Sequence, residues 1–462
     1  MHAKPLSLLF LSSLPSLTAA EDVLGLYVFH RHGDRTAKAW KPVNFTALGA
    51  DEVHSSGSWY RDTYVSKDAS RKITGLSPNV TSPADAVLQN SALVFLQGLY
   101  PPTKQFETLA NGSKVEAPFS GYQYIPIAAV STAASDKNSE NSAWLQGNSG
   151  CTNAEASSND YFSSPEYAGV YKDSESFYQG LLPVINGTYG KDEANFQNAY
   201  TIFDLINVAR IHNSSISSDD LLDDSTLEKL YNLASIHEWN LAYNSSEPVR
   251  AIAGSVLAGQ IIEALEPLAE GKKGPKVNIQ FGAYAAFMSF FGLAGLDKVS
   301  SDFKGVVDYA SSMAFELVTN ATNPTADDVS VRFYFANGTA AEHTPKMFPL
   351  FGKDETTISW KDFKTGMSDF AIEDTKHWCK LCGNHDGNCA SNSDDDSTSS
   401  QSSSGGSGNG VSKPVAGVIG ALVTLVVILG VQAAFILLGG LRLVKKSTLA
   451  AAGASQAGAV KA

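Results

Sequence analysis

Val23 to Phe29 is an apolar run with no polar alternation, and β-branched and aromatic residues dominate it. That pattern predicts a strand buried on both faces. It ends in a charged cluster, His30-Arg31-His32-Gly33-Asp34-Arg35. An open α/β sheet places its ligand crevice at the carboxyl ends of its strands, so this cluster is predicted at the mouth of a site. Lys276 to Phe281 alternates and predicts a second strand, followed by a Gly282-Ala283 turn and an apolar helix opening YAAFMSFF. Val329 to Ala336 predicts a strand entering a hairpin turn at Asn337-Gly338. Thr46 suits the cap of a helix running to about Tyr64, with His54 on its surface. Ser82 suits the cap of another, with Pro83 at the first position and Leu88, Ala92, Phe95 and Leu99 at helical spacing. From Tyr100 to about Pro275 the pattern is mostly helical. Its best helices are Leu227 to Tyr243, carrying a partly exposed His237-Glu238, and Ala251 to Leu268.

Two further apolar segments give an address. Residues 1–20 read as a secretory signal: Lys4, an apolar stretch from Leu6 to Leu14, and small residues before Glu21. Val415 to Leu441 carries no charge and is long enough to cross a bilayer. Arg442, Lys445 and Lys446 follow it and place that end, the short tail 442–462, in the cytoplasm. Residues 390–414, rich in Ser, Asp and Gly, read as a flexible stalk. The expected organisation is a single-pass membrane protein with its bulk, 21–389, outside the cytosol, at the cell surface or in the vacuole. Asn44, Asn79, Asn111, Asn186, Asn213, Asn244, Asn320 and Asn337 all stand in glycan-acceptor triplets, and all lie between the two apolar segments.

A formal charge of −13 over 462 residues argues against nucleic-acid binding. The four cysteines, Cys151, Cys379, Cys382 and Cys389, are an even set. C-x-x-C beside His385 also suits zinc, but a secretory address favours two disulfides. Cys379 and Cys382 are too close to bridge comfortably, so Cys382–Cys389 and Cys151–Cys379 are the expected pairs. No metal or organic cofactor is implied.

The charged cluster suits phosphate chemistry. Arg31 and Arg35 are fixed cations whose planar forks grip phosphoryl oxygens. His32 between them can attack phosphorus as a neutral imidazole. Gly33 lets the backbone approach a ligand closely.

This stretch resembles the R-H-G-x-R-x-P signature of the histidine acid phosphatases, a branch of the histidine phosphatase superfamily that includes fungal phytases. Ala37 stands where that family has proline. The resemblance extends through NSALVFLQGLYPP and FPLFGKDETTISWKDFKTGM to W-C-x-x-C-G-N around Trp378. It implies a Rossmann-like, phosphoglycerate mutase-like α/β sheet with an α-helical cap inserted at roughly residues 100–275. It implies His32 as the nucleophile that becomes phosphohistidine, with Arg31 and Arg35 binding phosphate. The family also supplies a third arginine, a second histidine and an aspartate that protonates the leaving oxygen. Matching the segments puts Val87, Ala283 and Tyr284 at those positions, while His385-Asp386 has neither strand nor helix around it. Two functions follow as expectations. One is a membrane-tethered acid phosphatase acting on a small phosphorylated substrate, slowed or with Tyr284 or a nearby carboxyl as replacement acid. The other is an inactive surface glycoprotein that keeps the fold for binding or scaffolding.

Overall fold

A computed structural model describes residues 21–75, 78–130, 150–213, 221–385 and 389. The segments predicted as signal, stalk, membrane span and tail lie outside them. The strands are β1 (Asp22–Arg31), β2 (Pro78–Pro83), β3 (Phe106–Thr108), β4 (Lys114–Glu116), β5 (Ala128–Val130), β6 (Val277–Gly282), β7 (Ser312–Thr319), β8 (Val329–Ala336), β9 (Lys346–Phe348) and β10 (Thr357–Ser359). β3 and β4 pair only with each other. The rest form one sheet in the order β10-β8-β7-β1-β6-β2-β5, with β9 also beside β8. β1, β6, β2 and β5 run parallel, and β7 and β8 turn the far side antiparallel.

The apolar run Val23–Phe29 therefore sits mid-sheet, as its lack of alternation requires, and β6 and β7 are buried along their whole length. β8 alternates, being nearer the edge.

The helices of eight residues or more are α1 (Ala47–Tyr60), α2 (Ala86–Leu99), α3 (Thr152–Asp160), α4 (Pro165–Gly180), α5 (Ala199–His212), α6 (Asp224–Ala242), α7 (Ile252–Ala269), α8 (Tyr284–Leu293), α9 (Trp360–Ser368) and α10 (Thr375–Cys382). α1 and α2 cover one sheet face, where Val53, Leu88 and Phe95 pack on Leu26, Val28 and Ile279. α7, α8 and α9 cover the other, where Leu257, Ile261 and Leu265 of α7 share a core with the aromatic group Phe29, Phe287, Phe290 and Phe315. α4, α5 and α6 share a separate core around Tyr178, Phe196, Ile206 and Leu230, into which Ala37 from the loop after β1 is also buried.

Several elements differ from expectation. Ala251–Leu268 is helical, but as α7 it packs on β1 and α8. Among the described residues it belongs to the one helical stretch long and apolar enough to span a bilayer, Pro248–Ala269, and most of its apolar part is buried inside the protein. Thr46 does cap α1, accepting from the Gly49 N–H, but α1 ends at Tyr60 and a π-helical turn, Arg61–Val65, follows. Ser82 does not cap α2. It is extended in β2, paired with Ala129, and Asp85 is the cap, accepting from the Val87 and Leu88 N–H groups. Nor does Asn337-Gly338 make a tight hairpin. The Asn337 side chain is drawn to Asp308 and Ser311, and the returning strand β9 begins only at Lys346.

The disulfides correct the expected pairing: they are Cys151–Cys382 and Cys379–Cys389. Both central cysteines lie on α10, one turn apart. Cys382 meets Cys151, at the cap position of α3, in a small apolar cluster with Ala154, Ile252 and Val256. Cys379 is left to the chain returning at Cys389. Two disulfides place these residues in an extracellular or secretory-pathway protein. Of the eight glycan acceptors, seven are exposed and Asn244 is half-buried.

Candidate active site

The ladder between β1 and β6 pairs His30 with Phe281 and Arg31 with Gly282. Both strands end at the same level, so the loop from His32 and the start of α8 at Tyr284 emerge side by side. On the other flank of β1, the segment entering β7 brings Tyr309, and the Ala310 N–H donates to the His32 carbonyl at 2.9 Å.

His32 is buried, and its Nδ1 lies 2.8 Å from the Gly33 carbonyl oxygen. A carbonyl only accepts, so the neutral imidazole carries its proton on Nδ1 and its lone pair on Nε2. That is the tautomer a nucleophilic Nε2 needs.

Packing against α1 also requires a glycine at position 33. A Cβ there would lie 2.3 Å from the Gly49 carbonyl oxygen, and one on Gly49 would lie 2.2 Å from that of Asp34. Two glycines let α1 run against the loop, backbone to backbone. The Gly33 N–H donates to Ser91 Oγ of α2 at 3.2 Å, and the Asp34 N–H to Glu52 of α1 at 2.7 Å. The Asp34 carboxylate is buried and takes hydrogen bonds from the Thr46 hydroxyl at 2.5 Å and His212 Nε2 at 2.6 Å. The loop is thus fastened from both α1 and the end of α5.

The cations converge. Arg31 donates to the Val307 carbonyl, and its guanidinium lies 4.6 Å from the Tyr309 ring centre and 5.4 Å from that of Tyr284. Arg35 pairs with Asp204 of α5 at 2.9 Å, donates to Tyr200 at 3.3 Å, and lies 5.7 Å from the Tyr309 ring. Lys38, three residues on, places Nζ 5.2 Å from the Tyr200 ring and 5.5 Å from that of Tyr284. Three cations around three tyrosines make a site suited to a multiply charged anion. Burial raises the Tyr200 and Tyr309 hydroxyls above their ordinary range, so both stay protonated phenols. His30 points away from this site toward Phe95 and Phe281, and burial lowers it to about 4.

Val87 and Ala283 are buried and bring no charge. Tyr284 does something the sequence did not disclose. Its hydroxyl donates to Glu238 Oε2 at 2.6 Å, and Glu238 Oε1 is held by His237 Nδ1 at 2.8 Å. Of the pair expected to be partly exposed, Glu238 is so at 14%, whereas His237 is buried at 7%. His54 and His385 are exposed. Among the described residues no group of three or more His, Cys, Asp or Glu could hold a metal ion.

Sequence reasoning missed Lys38, Tyr200, Asp204, Glu238 and Tyr309 as members of the site. For Tyr200 and Asp204 a signal existed: they lie four apart on one helix and so share a face. Lys38 follows the signature closely. Glu238 and Tyr309 carry no local sign.

No protein-family model matches the chain, and no curated protein matches it in sequence. Solved structures do match in shape. The phytase of Citrobacter braakii is 13% identical with a TM-score of 0.51, covering 78% of this chain and 99% of its own. The Hafnia alvei phytase in complex with tartrate is 11% identical with a TM-score of 0.50, covering 78% and 98%. The phytase from D. castellii is 9% identical with a TM-score of 0.50, covering 79% and 82%. At such identities the likeness is one of fold, and the fold of this chain is similar to that of phytases.

Proposed function

We propose that this protein hydrolyses phosphomonoesters through a phosphohistidine on His32, as a histidine acid phosphatase-like enzyme of the secretory pathway held to its membrane by residues 415–441. The observation that carries this reading is the His32 Nδ1 contact to the Gly33 carbonyl, which leaves Nε2 as the attacking atom of a ring 5.6 Å from the Tyr309 ring that Arg31 and Arg35 also flank. In the proposed reaction Nε2 bonds to phosphorus while the ester oxygen departs. The Gly33 carbonyl stabilises the positive charge that develops on the ring. Arg31 and Arg35 take the non-bridging oxygens, and Lys38 supplies a cation in place of the arginine missing at Val87. Water then attacks phosphorus and frees the imidazole. A lost transition-state donor costs about 10²–10³-fold, so turnover below that of a complete site is expected.

A second reading, a fold kept for binding without turnover, is favoured by one specific observation. His32 and Arg35 are fully buried, and Arg35 is already paired with Asp204. Turnover of an aryl phosphate by the full-length protein at acid pH, beside a His32→Ala control, separates the two. Release of phosphate by the wild type alone supports the enzyme. Equal rates for both proteins overturn it.

A further inference from the structure

We propose that Tyr284, backed by Glu238, is the proton donor to the leaving group, an inference that rests on the phosphatase reading above. Any hydrolysis of an alkyl phosphate must protonate an alkoxide, whereas an aryl oxide leaves with little help. The position next to the nucleophile, at the first residue of α8, is held by Tyr284, and the β1–β6 register sets it beside the His32 loop. Its ring contacts the same Arg31 guanidinium that flanks the nucleophile, lies 5.5 Å from Lys38 Nζ, and packs 4.7 Å from the Tyr200 ring.

The hydroxyl meets a partner of the right chemistry, Glu238 Oε2 at 2.6 Å, and His237 fixes the other carboxyl oxygen at 2.8 Å. Glu238 comes from α6, on the cap side, so the cap completes the acid. The charged and titratable groups around the pair are His237 on α6, Lys38 and Arg31 across the Tyr284 ring, and Tyr200 packed against it at a tilt.

In the first step the His32 Nε2–P bond forms and the P–O ester bond breaks. The step runs in the form that carries a proton on Glu238, in which the hydrogen bond reverses and the carboxyl donates to the Tyr284 oxygen: the departing oxygen takes the Tyr284 proton, and the Tyr284 oxygen takes the Glu238 proton, leaving an alcohol and a Glu238 carboxylate. In the second step water attacks phosphorus and the N–P bond breaks. Water's proton passes to the Tyr284 oxygen as the Tyr284 proton returns to Glu238. Tyr284 is then a catalytic residue, and Glu238, acting through it, a positioning residue.

The test uses full-length protein and compares phenyl phosphate with a simple alkyl phosphate for wild type, Tyr284→Phe and Glu238→Gln. Phe keeps the ring and its packing, and Gln keeps the size and hydrogen bonding of the side chain but has no acidic proton to pass on. The expected result is a fall in alkyl kcat of about 10²–10⁴-fold for Tyr284→Phe and at least about 10-fold for Glu238→Gln. KM stays near wild type, and phenyl phosphate turnover changes by no more than a few-fold. Alkyl turnover that survives Tyr284→Phe overturns the proposal, as does an equal loss on both substrates, which marks a packing role. A wild type active on phenyl phosphate but not on the alkyl ester also overturns it while the phosphatase reading stands. A wild type inactive on both removes the reading and the proposal together.

Discussion

Arg35 and Asp204 form an ion pair at 2.9 Å with side chains 0% and 2% exposed, and the pair joins the loop after β1 to cap helix α5. The Lys38 N–H donates to the same carboxylate at 2.8 Å, so Asp204 holds two points of that loop. The arginine expected to grip phosphate is therefore held by a carboxylate from an element 169 residues away in sequence. A phosphate dianion arriving at this site competes with Asp204 for the same guanidinium.

Asp204→Ala leaves Arg35 buried without its counter-charge. Breaking such a pair typically costs about 3–5 kcal/mol. A phosphate ion can then take the carboxylate's place, so added phosphate is expected to raise Tm more in the variant than in the wild type. Thermal unfolding with and without phosphate checks both parts. An equal shift in the two proteins means that phosphate does not reach Arg35.

Two groups beside the site, Glu52 half-buried and His30 buried, pull stability in opposite directions with pH. Glu52, which holds the Asp34 N–H, is raised to about 7, chiefly by burial. Its folded form keeps a proton that the unfolded chain has already lost. Its contribution is complete below about 4.5 and is lost as pH rises to about 7. His30 is lowered to about 4, also chiefly by burial. Its contribution is complete above about 6.5 and is lost as pH falls toward about 4. Each amounts to on the order of 1–3 kcal/mol, with Glu52 reduced by its partial exposure. Between about pH 4.5 and 6.5 the two slopes oppose, so wild-type stability is expected to vary little there. Glu52→Gln should expose the His30 slope, with stability rising across that window. Denaturant midpoints at several pH values read this directly.

The disulfides differ in what they enclose. Cys151–Cys382 spans 231 residues and Cys379–Cys389 spans 10. On loop-closure grounds, removing the first by paired Ala substitution should cost about 3–5 kcal/mol and the second about 2–3 kcal/mol. Mapping of unreduced peptides should return these two links. Recovery of Cys151–Cys379 contradicts the fold around α10.

What could be read in the sequence follows the range of the interactions involved. β1 was legible because a strand buried on both faces shows no alternation, β6 because its sequence alternates even though the structure buries both its faces, and the Thr46 cap because its partner is three residues away. Ser82 misled because its extended backbone is imposed by pairing with Ala129 in β5. The cysteine pairing misled because a helix, not sequence distance, decides which way Cys379 and Cys382 face. His32, Arg31 and Arg35 sit together in one loop and could be named at once. Glu238 and Tyr309 join them only through the β1–β6–β7 arrangement and the cap, so nothing near them in sequence marks them.

The most direct measurement is of the phosphoenzyme itself. The full-length protein is mixed with a radiolabelled aryl phosphate and quenched in alkali, which preserves a phosphorus–nitrogen bond. A phosphohistidine mechanism predicts label on the wild type that survives alkali, is lost in acid, maps to the peptide carrying His32, and is missing from His32→Ala. An unlabelled wild type, or label that persists in His32→Ala, contradicts it.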